Sequence, residues 1–364
     1  MSKVTKYSLL AIGVGLILIA IGFAITGGNW SAFSGKKSSA NHIHYDYECT
    51  GNITAIDFTD SYESIEITTG DVSKATVSYY IFDGHDEVDI KESNGTLYFE
   101  RKHLDGSWSF FDFNFESTKT VVTLPKDFEG PVKATTTSGG ISVKDLKNSS
   151  IQVKNSSGSI RLENIANSKE ITAKSTSGSV HTNNLVSTGD ISLEATSGSV
   201  RAEDIKCKDL LAKASSGSVG VDKAECDNIT AHSNSGSVRV LNATVKEEID
   251  TKSNSGSSRV EDATCSSVKS ESSSGSVTLD EVTADNASCS STSGSIHLDK
   301  LDVTKSVALK ANSGGIHGSI VGKESDFSII ASTTSGSCNL KGSREGEKTL
   351  DASTTSGSIN IKFE

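Results

Sequence analysis

The C-terminal two-thirds of this 364-residue chain contains a Ser-Gly step that recurs twelve times. The glycines of these steps are Gly139, Gly158, Gly178, Gly198, Gly217, Gly236, Gly256, Gly275, Gly294, Gly314, Gly336 and Gly357. Successive glycines are 19 or 20 residues apart, except for the last two intervals of 22 and 21 residues. A period of this length indicates one structural unit stacked on copies of itself.

Apolar residues keep fixed positions relative to these glycines. The residue seven before the glycine is apolar in every repeat, from Val132 to Leu350. Alternation with a period of two, as in Ile160-Arg161-Leu162, is typical of strands with one buried and one solvated face. Glycine adopts backbone angles closed to other residues at tight corners between strands. The sequence therefore predicts an all-β fold, a parallel β-solenoid (β-helix) of about twelve 19–22-residue coils over residues 132–364.

The serine immediately before each glycine also recurs without exception, from Ser138 to Ser356. We expect these serines to stack on one another and to form hydrogen bonds along the corner. Small residues such as Ala173, Ala212 and Cys289 occupy the position five before the glycine, which predicts a narrow interior.

The N-terminus carries a different signal. Leu9 to Ile25 is an uncharged apolar run of 17 residues, preceded by Lys3 and Lys6. This run predicts an uncleaved transmembrane signal anchor over residues 1–27, followed by a linker over residues 28–40. The alternative is a signal peptide cleaved between residues 32 and 34. Either way we expect the solenoid on the extracytoplasmic side of the cell membrane, held by a single pass if the anchor is kept.

Residues 41–131 hold 15 of the 21 aromatic residues. An open solenoid end exposes unpaired strand edges and apolar core, so we expect this segment to form an N-terminal β cap domain. The alternating stretches after Ala55 and Ser64 predict degenerate coils or a small antiparallel sheet. The cluster Trp108, Phe110, Phe111, Phe113 and Phe115 is interpreted as core of the cap, and a binding patch is the alternative.

The order of these features resembles a known family. An apolar N-terminal segment is followed by Ile65-Glu66-Ile67, by Thr123-Leu124-Pro125, and then by repeated Thr-x-Ser-Gly-x-Ile/Val units. From about Ala55 onwards, this order resembles the bacterial "putative adhesin" family of unknown function, whose LiaG-like members lie in Gram-positive envelopes. The resemblance implies a β-helical fold and an envelope location, and it brings no catalytic motif.

Charged residues form two neighbouring columns in the repeats. Acidic residues recur five positions after the glycine, and basic residues recur three positions after it. The basic column defines a candidate polyanion stripe of Arg161, His181, Arg201, Arg239 and Arg259. Columns of opposite charge are also typical of a solvated face without a ligand. The forked guanidinium of arginine, in contrast, suits a teichoic acid or an acidic envelope glycan.

Composition and motifs argue against several other functions. The net charge of −11 gives no basic surface for nucleic acid. Glycan-processing β-helices use paired carboxylates and aromatic platforms, yet only Phe327 and Phe363 are aromatic after Pro131. No CxxC or HExxH spacing indicates a metal site. We therefore expect a non-enzymatic protein without catalytic, cofactor-binding or metal-binding residues.

The cysteines are Cys49, Cys207, Cys226, Cys265, Cys289 and Cys338. An even number suggests disulfides in an exported protein. Cys207 and Cys226 share one column in adjacent repeats, so they are either bonded to each other or free. Cys265 lies two repeats beyond Cys226 and out of bonding reach. Cys289 and Cys338 lie in core columns and are interpreted as small buried apolar residues.

The sequence ends seven residues after Gly357. We expect the strand with Ile359, Ile361 and Phe363 to form an uncovered last coil whose backbone pairs with a second copy or a protein partner. The alternative is that Phe363 folds over the end as a plug.

Together these features predict a membrane-anchored extracytoplasmic solenoid that acts in adhesion, scaffolding or envelope stress. The alternative function is a glycan-binding or glycan-processing β-helix of the cell envelope.

Overall fold

The computed structural model describes residues 42–82, 84–104 and 118–364. The predicted anchor over residues 1–27, the linker over residues 28–40 and the aromatic cluster at residues 108–115 lie outside this range. Within it, the chain forms 25 strands and one short 3-10 turn at Glu324–Asp326. None of the helical structure found there is long and apolar enough to cross a bilayer.

Seven strands precede the first repeat. They are β1 (His42–Glu48), β2 (Ala55–Asp60), β3 (Ser64–Gly70), β4 (Thr76–Phe82), β5 (Asp86–Ser93), β6 (Thr96–His103) and β7 (Lys119–Pro125). The repeats contain β8 (Val132–Thr136), β9 (Ile141–Lys144), β10 (Ile151–Asn155), β11 (Ile160–Ser168), β12 (Ile171–Ser175), β13 (Val180–Ser187), β14 (Ile191–Ala195), β15 (Val200–Lys206), β16 (Asp209–Ala214), β17 (Val219–Ser233), β18 (Val238–Ser253), β19 (Ser258–Ser272), β20 (Val277–Ser291), β21 (Ile296–Ala311), β22 (Ile316–Ile320), β23 (Phe327–Ser335), β24 (Lys348–Ser356) and β25 (Ile359–Phe363).

All of these strands belong to one continuous sheet wound into a solenoid. Strands of successive repeats pair in parallel and in register, as in Ile151↔Ile171 and Ile160↔Val180. The prediction of an all-β parallel β-solenoid is confirmed. The stack has about eleven turns, where the sequence predicted about twelve.

The coil from Gly217 to Gly236 shows how each repeat closes on itself. Its buried side chains form three groups, which define the faces of the rod as face B (Val219, Val221), face C (Ala224, Cys226) and face A (Ile229, Ala231, Ser233). Residues 222–223 and 227–228 are partly or fully exposed and separate the groups. Each face alternates buried and solvent-facing residues, so the coil has a narrow apolar interior.

The bend between faces B and C uses a left-handed residue six positions after the glycine. These residues have φ angles between 47° and 58°, and they are Asp145, Asn164, Asn184, Asp204, Lys223, Asn242, Asp262, Glu281 and Lys300. Asparagine and aspartate tolerate this conformation better than other non-glycine residues. Their enrichment at this position is a sequence signal for the bend.

Hydrogen bonds at the Ser-Gly corner come from a different serine than predicted. Ser233, three residues before Gly236, donates from Oγ to the carbonyl of Gly217 (2.8 Å) and accepts the amide of Gly236 (2.9 Å). The serine immediately before the glycine, such as Ser235, is exposed to solvent. The inward-facing hydroxyl therefore has the structural role. The serine after the glycine adds a longer contact, since Oγ of Ser237 accepts the amide of Ser257 in the next coil (3.3 Å).

The corner glycine is required by close packing. A Cβ at Gly236 would lie 2.4 Å from the carbonyl oxygen of Gly217, and the other stacked corners are similarly tight. Backbone therefore lies directly on backbone along this edge, which leaves no space for a side chain.

The first coil of the stack is formed by residues well ahead of the first repeat. β2 lies between β8 and β6, and β3 lies between β9 and β7, all in parallel. Residues 55–70 therefore form a coil that lies between β6 and β7 on one side and the first repeat on the other. The segment predicted as a separate cap domain continues the same sheet.

Antiparallel strands follow beyond this coil. β5 pairs with β6, β4 pairs with β7, and β1 pairs with β4. Degenerate coils and a small antiparallel sheet were the alternatives for the stretches after Ala55 and Ser64. These stretches are β2 and β3, which form a parallel coil, whereas the antiparallel pairing lies in the strands beyond them.

The C-terminal coils are also stacked out of sequence order. β24 lies between β21 and β23, and β25 pairs with β22. Gly357 consequently stacks on Gly314, and Gly336 stacks on Gly357. Residues 348–363 thus form the second coil from the end, and residues 327–340 form the outermost one.

This order corrects the predicted open strand with Ile359, Ile361 and Phe363. Ile359 and Ile361 are each 1% exposed, and Asn339 hydrogen-bonds both the carbonyl (2.7 Å) and the amide (3.0 Å) of Ile361. The expectation failed because residues 327–340 fold over the last strand and cover its apolar rim. The ring of Phe363 lies 5.4 Å from that of Phe327 at this end.

Candidate functional site

The structure stacks the predicted polyanion stripe in one row on face B. Along the rod the row consists of Arg161, His181, Arg201, Gly220, Arg239, Arg259, Thr278, His297 and His317. The sequence register is therefore correct, and all five stripe residues lie on the same face. Gly220 interrupts the row between the second and third arginines.

Carboxylates lie beside three of the five stripe residues. The pairs are Arg161–Glu163 (3.1 Å), Arg201–Glu203 (2.6 Å), Arg259–Glu261 (2.8 Å) and Arg259–Asp280 (2.7 Å). Such exposed pairs contribute about 0 to 1 kcal/mol each to stability. Their main effect here is to reduce the positive potential that a polyanion would meet on this face.

Arg239 differs from the other arginines of the stripe. The acidic position two residues along its strand is occupied by Leu241, and Arg239 forms no ion pair with any residue in the described part of the chain. Beside it, a Cβ at Gly220 would meet no atom within 4 Å. The stripe therefore offers one free guanidinium next to an open gap.

A groove of about 380 Å³ follows the edge between face A and the Ser-Gly corner. Its polar lining consists of Glu194, Thr196, Lys213, Ser215, His232, Asn234, Lys252 and Asn254. Lys213, His232 and Lys252 occupy equivalent positions in three consecutive coils. With a coil spacing of about 4.8 Å, the two lysines lie roughly 10 Å apart along the rod.

The charges of the groove are only partly neutralised. Lys252 lies 3.0 Å from Glu271, and His232 lies 3.1 Å from Asp250, whose pKa is lowered chiefly by this hydrogen bond. Lys213 makes no ion pair with a described residue. The centre of the groove therefore presents an available ammonium group.

Amide groups form the outer wall of the groove. Asn254 donates its Nδ2 to Oδ1 of Asn234 in the preceding coil. Both asparagines are exposed, as are Thr196 and Ser215, which also line the groove. Such donors and acceptors suit hydroxyl-bearing ligands.

A buried ionic cluster lies at the first corner of the stack. Arg101 is 1% exposed and donates to Asp60 Oδ2 (3.0 Å), to Thr120 Oγ1 (3.0 Å) and to the carbonyl of Tyr80 (2.6 Å). Asp86 Oδ2 lies 3.4 Å from the same guanidinium. Two carboxylates thus share one buried arginine, which satisfies charges that would be costly alone.

The cluster shapes the turn that replaces a Ser-Gly corner. Oδ1 of Asp60 accepts the amides of Tyr62 (3.1 Å) and Glu63 (2.9 Å), and Gly139 stacks directly on the carbonyl of Glu63. The Glu63 side chain is 7% exposed and accepts a hydrogen bond from Thr118. Burial raises the pKa of Glu63. The cluster is thereby part of the fold rather than an accessible site.

Among residues 42–82, 84–104 and 118–364, no group of three or more His, Cys, Asp and Glu side chains is arranged to hold a metal ion.

The groove and the buried cluster were both missed by the sequence reasoning. A signal for the groove existed in the lysines four residues before several glycines, such as Lys174, Lys213 and Lys252. The partners Asp60 and Arg101 are 41 residues apart and follow no period, so no pattern links them.

The family of the chain follows from comparison with known sequences. The family model described as Toastrack DUF4097 matches residues 53–244 and 221–364, and the chain belongs to this family. The resemblance to a bacterial "putative adhesin" family of unknown function is thereby confirmed. A comparison with curated proteins gives no match.

Several solved structures are similar in fold. A "putative adhesin" from Bacteroides fragilis NCTC 9343 has 14% identity and a TM-score of 0.37, with 71% of this chain and 97% of that chain covered. A "putative cell adhesion protein" from Clostridium sporogenes ATCC 15579 has 9% identity and a TM-score of 0.25, with 89% and 100% covered. A "Putative lipid binding protein" from Parabacteroides distasonis ATCC 8503 has 16% identity and a TM-score of 0.26, with 89% and 98% covered.

Proposed function

We propose that the protein is a non-enzymatic, membrane-anchored rod of the cell envelope that acts in adhesion, scaffolding or envelope-stress sensing. The observation that carries this proposal is the register of its outer surface. The stripe on face B and the Ser-Gly edge each present the same kind of group at the same place in successive coils. A surface of this kind offers many equivalent weak contacts, which add up through multivalency.

The proposed orientation of the rod relative to the membrane rests on the apolar N-terminal segment and on the strands that precede the first repeat. Residues 9–25 anchor the protein in the cell membrane with the solenoid on the extracytoplasmic side, and the antiparallel strands β1, β4 and β5 cap the membrane-proximal end of the rod. Capping by antiparallel strands protects the parallel coils from end-to-end pairing.

The location is tested with intact protoplasts. We expect the full-length chain to sediment with membranes and added protease to remove the rod, whereas a variant lacking residues 1–27 should stay in the cytosol. Recovery of a soluble chain that starts near Gly35 would indicate a cleaved signal peptide instead. A rod that is protected from protease in intact protoplasts would contradict the proposed side of the membrane.

The contact function is tested by sedimentation of the purified full-length chain with isolated cell walls. We expect co-sedimentation that falls when Arg239 is changed to glutamate, because this arginine is the free one in the stripe. The matched control is Arg161→Glu, which changes an arginine already paired with Glu163. Equal sedimentation of the unchanged chain and of both variants would show that face B does not contact the cell wall. Release of soluble sugar during the incubation would argue against a non-enzymatic role.

The groove favours a second candidate function, the binding of an acidic envelope glycan. Lys213 supplies an unpaired cation, and the amides of Asn234 and Asn254 supply hydrogen-bond partners for sugar hydroxyls. Titration with an oligosaccharide of uronic acids should give a dissociation constant at least several-fold weaker for Lys213→Ala. Lys154→Ala is the control, since Lys154 lies in the same row but outside the groove. Identical affinities for these variants would exclude the groove.

A further inference from the structure

Two cysteine thiols face each other on face C in the middle of the rod. The Sγ atoms of Cys207 and Cys226 are 3.3 Å apart, and both thiols are free. Cys226 is 4% exposed, whereas Cys207 is partly accessible. No other sulfur–sulfur contact occurs among the described residues.

The backbone already has the geometry of a disulfide. The amide of Cys207 donates to the carbonyl of Glu225 (3.2 Å), and Lys206 is paired with Glu225 in parallel. Cys207 and Cys226 are therefore neighbours on adjacent strands, with Cα atoms roughly 4.8 Å apart. Disulfides accept Cα separations of about 4.4 to 6.8 Å, so rotation of the side chains is enough to bring the sulfurs to bonding distance.

The other cysteines nearby do not compete for this bond. Cys226 is paired with Val245 in the next coil, and Cys265 follows one coil further, roughly 10 Å from Cys226. Cys289 is buried on face A, on another side of the rod. The geometry therefore selects a single pair.

We propose that Cys207 and Cys226 form a disulfide that links two successive coils. The oxidant is the disulfide of an extracytoplasmic thiol–disulfide oxidoreductase. The more accessible Cys207 attacks it as thiolate, which forms a mixed disulfide and releases one thiolate of the oxidant. The thiolate of Cys226 then attacks Sγ of Cys207 and releases the second thiolate of the oxidant. Two electrons and two protons pass from the two cysteines to the oxidant, which becomes its dithiol. The neighbouring Cys226 thiol and burial raise the pKa of Cys207, so attack needs such a catalyst at neutral pH.

The position of the pair gives the bond a mechanical role. Before Cys207 each coil consists of separate strands, whereas β17 to β21 run for 15 or 16 residues through all three faces. The change occurs at these cysteines, where a register shift lies between Cys226 and Asn228. The carbonyl of Lys208 accepts the amides of both Asp227 (2.7 Å) and Asn228 (3.2 Å) there. A covalent bond at this irregular step holds the two kinds of coil together.

The test uses the purified full-length chain treated with oxidised glutathione in the presence of a purified thiol–disulfide oxidoreductase. Peptide mapping without reduction should show one cross-link, between Cys207 and Cys226, and thermal unfolding should occur about 4 °C higher than in the reduced protein. Cys207→Ser should abolish both the cross-link and this increase, whereas Cys265→Ser should keep them. Cys207 and Cys226 that both remain open to alkylation after oxidation would overturn the proposal.

Formation of the bond in the cell also rests on the proposed extracytoplasmic location, and the two ideas can be separated. A chain that oxidises in vitro but is recovered from cells with two free thiols supports the cysteine pair and contradicts the location. A chain that carries the cross-link when recovered from membranes under alkylating conditions supports both.

Discussion

The two ends of the rod share an unexpected order of coils but close by different chemistry. At both ends the outermost coil is contributed by residues that are not first or last in the chain, since residues 55–70 and 348–363 each lie one coil inside. The N-terminal end continues into antiparallel strands and buries an Arg101–Asp60 ion pair. The C-terminal end closes with the rings of Phe327 and Phe363.

This difference shows that the repeat specifies the path of each coil, but it does not specify which coils stack on one another at the two ends of the rod. Inside the rod, the Ser-Gly corner supplies both the hydroxyl and the space that stacking needs. At the first coil a buried ionic cluster replaces that corner, and at the last coils an aromatic contact covers the interior. Sequence similarity between repeats therefore does not give the order in which terminal coils stack.

The largest expected effect comes from removal of residues 348–364. We expect residues 321–347 to lose structure as well, because β23 pairs in parallel only with β24. Hydrogen exchange followed by mass spectrometry should show residues 327–340 exchanging like an unstructured peptide, while residues 307–311 stay protected. Protection of residues 327–340 in the shortened chain would mean that these residues do not depend on the inserted coil.

At the opposite end, Arg101→Met should cost about 3 to 5 kcal/mol of unfolding free energy, because Asp60 and Asp86 would be left buried without a cation. Urea unfolding measures this change. The matched control is Arg161→Met, which removes an exposed ion pair and should cost about 1 kcal/mol or less. Similar losses for the two variants would show that the N-terminal end is not closed by its ionic cluster.

The Ser-Gly corner that the ionic cluster replaces at the N-terminal end can be tested in the body of the rod. Gly236→Ala places a Cβ 2.4 Å from a backbone oxygen and should lower stability by about 1 to 3 kcal/mol. Gly220→Ala adds a methyl group where no atom lies within 4 Å, and it should change stability by about 0.5 kcal/mol or less. Thermal unfolding of the two variants compares them directly. A larger loss for the second variant would contradict the close stacking of the corners.

The smallest expected effect is a pH dependence confined to the N-terminal end. Burial raises the pKa of Glu63 above its ordinary value of 4.5, so its contribution to stability is fully present below pH 4.5 and is lost as pH rises through the folded-state pKa. Urea midpoints measured from pH 4 to pH 8 should therefore fall less steeply for Glu63→Gln than for the wild type. Parallel curves would show that Glu63 ionises in the fold as it does in water.

The pKa of Glu92 is shifted in the opposite direction to that of Glu63, so Glu92 serves as a comparison. Amides of Thr50 and Gly51 lower its pKa to about 2, so its contribution is present above pH 4.5 and is lost as pH falls toward 2. Glu92→Gln should therefore flatten the acid side of the curve and leave the neutral side unchanged.

The repeat period was enough to predict much of the rod. The apolar columns, the parallel register and the alignment of Arg161, His181, Arg201, Arg239 and Arg259 all follow from counting residues relative to the glycines. These features are local, because each coil repeats the same backbone path and each residue meets its equivalent in the next coil.

The features that the sequence did not reveal depend on contacts between distant segments. The insertion of residues 348–363, the covering of Ile359 and Ile361, and the Arg101 cluster each join residues without a periodic relation. The groove adds a further case, since it arises where rows of different side chains meet along one edge.

The sequence by itself therefore determined the family resemblance, the repeating coil and its buried columns, because alternation and glycine spacing act within a single turn. Only the tertiary structure decided which coils lie at the two ends and how each end is closed. Those outcomes depend on which exposed strand edge each terminal segment covers. Successive coils present strand edges with the same pattern of donors, acceptors and apolar residues. The repeat therefore makes these edges equivalent, and side-chain packing at each end decides which edge a terminal segment covers.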